Sequence, residues 1–584
     1  MRQAIRFVWK NPAFAAIAIV TLAFGIGVNG AIFTMVDALA LRGLPYERPG
    51  RLAVIETHRP SQSEVEPWTS APDFFDLRER NRTFSEIAGI SPIFNDILTG
   101  RGDAERLQTL YVSASFFPLL GVEAASGRTF ALTEDDRTHP SRVAILSNGF
   151  WLSHFEGKRD AIGQTVSLSG STYTIIGILP AGFRYPGEPL LGSAIDIDVW
   201  LPLSDNTLTG RARGVRFLKV IGRLKPGATF QQAREEINGI GQALASQFPE
   251  TNAGFTDEVA PLTDRISGRF RATMLLLLAA VGFLLLMACA NVANLLLARA
   301  AGRRNDFAVR VALGATNARL IRQIVAEGFV ISILGGLAAL VVAQWGVSFL
   351  KAEAPENLLG GLNPITLDLR AITFMFGAVL TCTAISGLPP AWNIFRGRLQ
   401  ESLAGTTRSV TASHHVLRSS LVLSEVAVGL VLLVGSGLLV HSFLRLLAVD
   451  PGFDAHNVVT ISTQSPPTAK TAEQLTSIYA LMRERILSTP GVVSVGAVSR
   501  LPLMGSKLGS TLVVEGKSIP GQQGPDVEYR VATPSYFPTM GIALKRGRAF
   551  DEHDDSKSIP VALVSEAYFS VWLWVFGSRF RLEF

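Results

Sequence analysis

Five long apolar runs constrain the fold of this chain more than any other feature of its sequence. They cover residues 14–41, 273–298, 325–350, 371–395 and 419–447. A helix needs about 20 apolar residues to cross the hydrocarbon core of a bilayer, and each run is that long. We therefore predict a membrane protein with about five transmembrane α-helices. Charged residues make up 17% of the chain, below the roughly 25% of average soluble proteins, which agrees with this prediction.

The first run could instead be the apolar part of a cleaved signal peptide. Arg2, Arg6 and Lys10 precede it, and the sequence ALA at 38–40 resembles a cleavage site. The apolar part of a signal peptide is about 7–15 residues long, and this run is much longer. We therefore favour an uncleaved membrane anchor.

Basic residues beside the runs predict which side of the membrane each connecting segment occupies, because lysine and arginine are enriched in cytoplasmic loops. Three precede the first run, six arginines lie within 299–323, and four lie within 396–418. The loop at 351–370 carries two basic residues against three acidic ones. We predict that residues 1–13, 299–323 and 396–418 are cytoplasmic, and that 43–270, 351–370 and 448–584 are extracytoplasmic.

The larger extracytoplasmic segment, residues 43–270, has the pattern of a mixed α/β (α+β) domain. A short apolar segment followed by an amphipathic one predicts a strand and a helix at 142–155. Alternation on both sides of Gly170 predicts a β-hairpin. A strand, a Pro-Gly turn and a helix are predicted at 216–244, with Thr229 as the helix N-cap.

Residues 448–584 show a similar strand, helix, strand order. Strands are predicted at 458–463 and 492–499, and a helix between them at 471–487. Pro490 and Gly491 predict a turn after the helix.

An internal repeat links the two extracytoplasmic segments. SFFPLLGVEAASGRTF at 115–130 matches SYFPTMGIALKRGRAF at 535–550, and VAILSNGF at 143–150 matches VALVSEAY at 561–568. Turn glycines and aromatic residues recur in the same order, which predicts a duplicated unit of one span plus one external domain. The second unit lacks counterparts of roughly 170–270 and of the second to fourth spans. We therefore expect a truncated or frameshifted reading frame rather than a natural short form.

Motifs for covalent chemistry are absent from the sequence. GSTLVVEGKS at 509–518 ends in Gly-Lys-Ser, but six residues separate its glycines, so it does not match a Walker A loop. DEHDD at 551–555 is better explained as a solvated loop than as a metal site. Cys289 and Cys382 both lie inside apolar runs, so we predict no disulfide framework. The chain is predicted to be no enzyme and to hold no metal or cofactor of its own.

Polar side chains inside the apolar runs are functional candidates, because ionisable groups are costly at membrane depth. Asp37 lies near the end of the first run, where we favour an interfacial position. Glu425 lies about two turns into the fifth run, where we favour packing between helices over a proton relay. Asn291 and Asn294 share one face of the second run and are predicted to hydrogen-bond a neighbouring helix.

The segment at 299–323 combines six arginines with apolar residues at helical spacing. Phe307 and Val311 are four residues apart, which is typical of a short amphipathic helix. Gly314 predicts the end of that helix, and Thr316 predicts the N-cap of the next one. A lipid surface and a partner protein make similar demands on such a helix, so these residues alone leave both open.

The longest motifs resemble a known family. LLLLAAVGFLLLMACANVANLLLARAAGRRNDFAVRVALGATNARLIRQIVAEG at 275–328 resembles the permease signature of the FtsX/MacB family of ABC transporters. NPAFAAIAIVTLAFGIGVNGAIFTMVDALALRGLPY at 11–46 is similar to the first span of its duplicated members, the acidobacterial duplicated orphan permeases. The resemblance implies a MacB-like periplasmic core domain at 43–270, an FtsX-like permease domain at 271–398, and an incomplete second core domain at 448–584.

The resemblance also implies that the segment after the second span docks a separate ATPase as a coupling helix, which favours docking over a lipid anchor. The implied contact residues are Arg303, Arg304, Asp306, Phe307, Arg310 and Gly314. The family usually has Glu-Ile where this chain has Asp306-Phe307. The acid is therefore kept but shortened, and the aromatic residue is unusual.

By this resemblance the chain is a mechanotransmission-type permease subunit of the bacterial inner (plasma) membrane. ATP and Mg would bind the partner ATPase, and the other partners would be membrane lipid and a second permease, in a homodimer or a mixed assembly. No nucleic-acid partner is expected. Two alternatives remain, a membrane-anchored sensor or scaffold without an ATPase, and a secondary transporter that uses Glu425. A neighbouring ATPase gene would favour the permease subunit, and ion-dependent uptake lost in Glu425→Gln would favour the transporter.

Overall fold

The computed structural model divides the chain into two compact units. The membrane unit comprises Met1–Gly50, Arg184–Asp196 and Leu262–Leu447, and the sheet unit comprises Arg51–Phe183, Ile197–Pro261 and Ala448–Phe584. We describe each unit by itself. The structure describes residues 9, 12–58, 68–100, 102–136, 139–185, 196–205, 213–302, 317–353, 363–395, 408–463, 471–503, 509–511, 526–555 and 558–566.

The helices and strands are numbered in chain order. The helices are α1 (Pro12–Val36), α2 (Ala71–Arg80), α3 (Phe116–Leu120), α4 (Asn148–Phe155), α5 (Phe230–Gln247), α6 (Pro249–Asn252), α7 (Leu262–Gly302), α8 (Asn317–Glu353), α9 (Leu369–Phe395), α10 (Arg408–Leu447), α11 (Ala472–Leu487) and α12 (Tyr536–Thr539). The strands are β1 (Leu52–His58), β2 (Thr69–Ser70), β3 (Phe84–Thr99), β4 (Glu105–Val112), β5 (Ser126–Gly127), β6 (Val143–Leu146), β7 (Thr165–Leu168), β8 (Ser171–Ile178), β9 (Val199–Pro202), β10 (Arg216–Leu224), β11 (Thr256–Pro261), β12 (Gly509–Thr511) and β13 (Asp526–Glu528).

Long apolar helices build the membrane unit. Within the described residues, four helical segments are long and apolar enough to span a bilayer: Pro12–Leu41, Arg271–Leu296, Ala326–Glu353 and Val422–Leu447. They coincide with the first, second, third and fifth predicted spans. The fourth predicted span lies within α9, whose apolar part, Leu369–Ile385, is shorter.

Glycines let the membrane helices approach one another closely. A Cβ atom built on Gly27 of α1 would lie 2.6 Å from the Cβ atom of Val342 in α8. One built on Gly336 of α8 would lie 2.5 Å from Cγ2 of Val379 in α9. Small residues at such contacts allow the backbone packing that associates helices in a bilayer. The buried core of this bundle includes Ala18, Leu22, Ile26, Val292, Ile331, Ala339, Ala343 and Met375.

The same packing pairs the two cysteines. Cys289 of α7 and Cys382 of α9 form a disulfide, with their Cα atoms 5.2 Å apart. Both side chains are buried in the core of the bundle. The sequence predicts no disulfide framework, and it gives no sign of this single pair, because the separation of the two residues in sequence hides the contact between α7 and α9.

The sheet unit is organised by one twisted mixed sheet. Its strand order is β11-β1-β10-β3-β4-β9-β6-β8-β5, with β2 on β10 and β7 joining β3 to β8. The pairs β4/β9 and β6/β8 are parallel, and the other pairs are antiparallel. Ala53 pairs with Pro261 in the β1/β11 ladder, so the first strand of the sheet lies beside the last one. The fold is therefore the mixed α/β arrangement that the sequence predicts.

Local sequence signals identify several elements correctly. The predicted hairpin is formed by β7 and β8, with Ser169 and Gly170 both at positive φ in the turn. The strand and helix predicted at 142–155 are β6 and α4. The helix predicted after β10 is α5, and the Thr229 side chain accepts a hydrogen bond from the Gln232 N–H in a capping box.

Aromatic residues fill the core beside α3. The Trp200 ring of β9 lies 5.5 Å from the Phe116 ring and 5.4 Å from the Phe117 ring, measured between centroids. Phe183 also packs on Trp200, with 5.6 Å between the ring centroids. Phe116 and Phe117 are completely buried. A second apolar cluster lies between the sheet and helices α2 and α5 and includes Phe74, Leu77, Ile87, Val220, Ala233 and Ile237.

Residues 448–566 contain the predicted helix but not the predicted strands. Helix α11 begins after Thr471, whose side chain accepts a hydrogen bond from the Gln474 N–H. Residues 458–463 and 492–499 are described by the structure and are not strands, apart from a single bridge between Val498 and Ala532. Apolar alternation is insufficient here because a strand also needs neighbouring strands to pair with.

The sequence repeat is also a repeat of contacts. The Phe117 and Phe130 rings lie 5.9 Å apart, and the rings of Phe537 and Phe550 lie 5.9 Å apart. Arg128 pairs with Glu134 at 2.7 Å, and Arg548 pairs with Asp554 at 2.6 Å.

The repeated contacts extend beyond the segments that the sequence comparison identified. Ser113 N–H donates to Gly89 O at 2.9 Å, and Thr533 N–H donates to Ala497 O at 2.9 Å. Ser91 Oγ accepts from the Tyr111 N–H, as Ser499 Oγ accepts from the Val531 N–H. We name residues 87–134 the first repeat and residues 495–554 the second repeat.

Candidate functional site

The predicted coupling residues fall in a gap between two described helices. Arg303, Arg304, Asp306, Phe307, Arg310 and Gly314 lie outside the described residues. Helix α7 ends before this segment, and α8 begins after it. In the last turn of α7, the Arg299 guanidinium carbon lies 4.9 Å from the centroid of the Phe14 ring in α1. A cation–π contact of this kind links the start of the predicted coupling segment to the first membrane helix.

Of the three predicted intramembrane polar residues, Asn294 and Glu425 contact each other, and Asn291 does not join them. Asn294 Nδ2 of α7 lies 3.4 Å from Glu425 Oε1 of α10. Asn291 is exposed. The structure therefore brings Asn294 and Glu425 together between two helices and leaves Asn291 on the outer surface of α7.

Asn29 is a polar residue of the membrane unit that the sequence analysis missed. Its side chain is 1% exposed. Its amide donates to the Gly25 carbonyl oxygen at 2.8 Å and to the Val281 carbonyl oxygen at 2.7 Å. The second bond joins α1 to α7. An amide inside a glycine-rich apolar run is the signal that could have identified it, since such an amide needs a partner in a bilayer.

The C-terminal end of α1 carries an ionic cluster. Residues Asp37–Leu41 continue α1 as a π-helical turn. Arg42 follows, and its Nη2 donates to Asp37 Oδ2 at 2.9 Å and also to Asp368 Oδ2. Asp37 is 4% exposed, so its carboxylate is buried and paired within the protein, and its interfacial position stays a prediction. Arg370 Nη1 lies 3.6 Å from Asp37 Oδ1.

Asp368 connects this cluster to the start of α9. Its carboxylate accepts the Ala371 N–H at 3.0 Å, which makes Asp368 the N-cap of α9. This hydrogen bond, together with the charge of Arg42, lowers the pKa of Asp368, although desolvation opposes the shift. The carboxylate is therefore held in its ionised form.

Asn363 completes the connection between the two helix ends. Its side-chain amide is buried and donates to the Ala38 carbonyl oxygen at 3.3 Å and to the Gly43 carbonyl oxygen at 3.2 Å. We name this site the α1–α9 junction, defined by Asp37, Arg42, Gly43, Asn363 and Asp368. It joins two helix ends that are more than 300 residues apart in sequence.

A second ionic cluster lies inside the sheet unit. Asp73 accepts from Arg213 at 2.5 Å, from Arg216 at 3.1 Å and from Asn252 at 3.0 Å. Burial raises the pKa of the nearby Asp257, whose Oδ1 accepts from the Thr57 hydroxyl. Charge-assisted contacts that are shared in this way fix the elements that carry them, so this cluster joins α2, β10 and α6.

Two family models match the chain. The MacB-like periplasmic core domain matches residues 15–240, and the FtsX-like permease C-terminal domain matches residues 278–399. The matched regions cover most of α1 with β1 to β10, and the second part of α7 with α8 and α9.

Curated relatives share these regions. The probable export ATP-binding/permease protein MacB of Pseudomonas entomophila is 24% identical over 294 residues, which are 50% of this chain and 41% of that protein. The macrolide export ATP-binding/permease protein MacB of Escherichia coli K12 is 22% identical over 282 residues, 48% of this chain and 40% of that protein. The matches thus span about two fifths of the length of these relatives.

A solved structure also matches in part. The periplasmic region of MacB from Actinobacillus actinomycetemcomitans gives a TM-score of 0.29 at 14% identity, covering 39% of this chain and 95% of that one. The two family models and the named relatives agree with the apolar helices and the mixed sheet on the assignment. This chain belongs to the MacB/FtsX-type permeases of ABC transporters and carries a MacB-like periplasmic core domain.

Proposed function

We propose that this chain is the permease subunit of a mechanotransmission-type ABC system, in which a separate cytoplasmic ATPase moves the extracytoplasmic domains through the membrane helices. The observation that carries this proposal is helix α7. It begins at Leu262, directly after β11 ends at Pro261, and it continues without a break for 41 residues to Gly302.

The length of α7 exceeds what a membrane crossing needs. At 1.5 Å per residue it measures about 60 Å, whereas a bilayer core is about 30 Å thick. One continuous helix therefore joins a strand of the sheet to the predicted coupling segment. A rigid element of this kind can transmit a displacement that a flexible linker would absorb.

Two connections between the described strands of the sheet and the membrane helices are neighbours. One leads from α1 to the start of β1, and the other leads from the end of β11 to α7. Because Ala53 pairs with Pro261, both connections reach the same edge of the sheet. A relative movement of α1 and α7 would therefore act on one pair of hydrogen-bonded strands.

The proposal also includes a partner and an orientation. ATP and Mg would bind the partner ATPase, on the cytoplasmic side that the arginines of 299–323 indicate. The N-terminus would be cytoplasmic, and residues 448–584 would belong to a second core domain of a duplicated permease. Nucleotide binding would need to favour one of two stable arrangements of the helices.

Capture of ATPases tests the docking step. The chain in nanodiscs is incubated with candidate ABC ATPases, and bound ATPase is quantified. We expect Arg304→Glu with Arg310→Glu to lose most of the ATPase that the wild type binds, because both changes reverse charge in the predicted contact region. Arg483→Glu, on the exposed surface of α11, is the matched control and should bind as the wild type does. A wild type that captures no ATPase would contradict the proposal and favour a scaffold or sensor.

A further inference from the structure

Two separate sets of polar contacts connect the helix ends at the α1–α9 junction. Arg42 donates to two carboxylates, Asp37 and Asp368, that belong to different helices. Asn363 separately binds two carbonyl oxygens on either side of Arg42. The charged and the neutral contacts are independent of each other and join the same two elements.

Burial makes the junction costly to open. The Asp37 side chain is 6% exposed, and the Arg42 side chain is 22% exposed. If α9 moved away from α1, Asp368 would lose its contact with Arg42. Arg42 would then be paired with Asp37 alone. Removing one member of a buried charge network leaves the others uncompensated, so separation of the two helix ends is disfavoured.

The π-helical turn gives the junction its backbone partners. Arg42 N–H donates to the Asp37 carbonyl oxygen at 2.6 Å, which closes the wide turn. Such turns leave carbonyl groups near the helix end without the usual partner. Asn363 supplies a donor to the Ala38 carbonyl oxygen within this turn, so the irregular backbone and the Asn363 amide depend on each other.

We propose that the α1–α9 junction is a strut that makes the C-terminal end of α1 and the N-terminal end of α9 move as one body. Arg42 is its positioning residue. The connection from α1 to β1 starts at this strut, so movement of α1 reaches the sheet only together with movement of α9. This inference deepens the proposed function, but its structural part holds without an ATPase.

Amide hydrogen exchange of the full chain in nanodiscs tests the structural part without any partner. We expect Arg42→Gln to raise the opening rate of residues 36–46 about tenfold, and to raise that of residues 363–372 by a similar factor. Arg48→Gln is the control and should change neither segment, since the one ion pair of Arg48 within the described residues is with its exposed neighbour Glu47, at 3.6 Å. An increase confined to residues 36–46 would overturn the strut.

A double-mutant cycle sharpens this test. Asp368→Asn keeps an N-cap acceptor for α9 while removing the charge, because Asn caps helices about as well as Asp. Combined with Arg42→Gln it should raise the opening rate no further than either change alone. Additive increases would show that the two residues act separately. If Arg42→Gln fails to fold, Arg42→Lys replaces it: this variant keeps the charge but not the forked donor, so it should raise the opening rates of both segments, by less than tenfold.

The functional part needs the assembled complex. With an ATPase bound, Arg42→Gln should keep ATPase capture and ATP turnover but lose the nucleotide-dependent displacement of the sheet unit. If the wild type captures no ATPase, the proposed function fails while the exchange result still decides the strut. If Arg42→Gln displaces the sheet unit as the wild type does, the strut has no part in transmission.

Discussion

The first and second repeats place the same side-chain contacts in two different environments. In the first repeat, Phe117 is completely buried, and Trp200 from β9 packs on it. In the second repeat, Phe537 keeps its contact with Phe550 but is only half-buried. The local geometry follows from the repeated sequence, whereas the burial follows from strands that lie elsewhere in the chain. A matched pair of substitutions therefore separates the two contributions.

The largest difference is expected for the paired phenylalanines. Phe117→Ala should lower the free energy of local opening by about 3–5 kcal/mol, since it leaves a cavity in a closed core. Phe537→Ala should lower it by about 1 kcal/mol, because less apolar surface returns to water. Hydrogen exchange of residues 115–130 and 535–550 in the full chain measures both. Equal losses would show that the second repeat is buried in a core as complete as that of the first.

Alanine substitutions of the equivalent glycines Gly127 and Gly547 should also differ in their cost in stability, by less than the phenylalanine substitutions do. Gly127 has a φ of 76°, and a Cβ atom there would lie 2.2 Å from the Ile176 carbonyl oxygen. Gly547 has a φ of 86°, and no heavy atom of the described chain lies within 4 Å of a Cβ built on it. Gly127→Ala should cost roughly 3 kcal/mol or more through backbone collision, and Gly547→Ala about 1 kcal/mol from its left-handed backbone. Thermal unfolding with local exchange compares them, and a more damaging Gly547→Ala would contradict this account.

The smallest effect is expected for the pH dependence of stability at the Arg548–Asp554 ion pair of the second repeat. A hydrogen bond from the Arg548 guanidinium, helped by the Asp551 N–H, lowers the pKa of Asp554 to about 2. The unfolded value for aspartate is about 3.9. The stabilisation is therefore complete above about pH 4 and is lost as the pH falls through about 2.

Protection of the amides of residues 547–555, corrected for the intrinsic exchange rate, measures this loss between pH 4 and pH 2. Arg548→Gln removes the donor, so this variant should be less protected at pH 4 and should vary less over the same interval. A wild type and an Arg548→Gln variant with the same pH profile would show that the pair has no stabilising role.

Local signals in the sequence predicted elements whose contacts are close in the chain. The Thr229 cap, the hairpin at Gly170 and helix α11 each depend on residues a few positions apart. The prediction of strands at 458–463 and 492–499 is wrong because a strand depends on distant partner strands, which its own residues do not specify. The first repeat has those partners in β8 and β9.

The candidate site could be predicted only in part, because its polar contacts join residues that are far apart in the sequence. Asp37 and Glu425 were identified from their types alone, but Arg42 and Asn363 lie outside the apolar runs and have no unusual spacing. Only the packing of α1 against the start of α9 brings them together. The Cys289–Cys382 pair is a further case, since its residues are 93 positions apart. The predicted coupling contacts at 303–314 lie outside the described residues, so they stay a prediction.

The proposed function predicts that ATP used by a partner displaces the sheet unit relative to the membrane unit. Spin labels at Lys225→Cys in the sheet unit and Lys351→Cys in the membrane unit, both at exposed positions, report this displacement as a distance distribution. The native cysteines are joined to each other, so the labels react at the introduced ones. With a captured ATPase, ATP should shift the distribution, and Arg304→Glu should abolish the shift. A bound ATPase that turns over ATP while the distribution stays unchanged would contradict the claim.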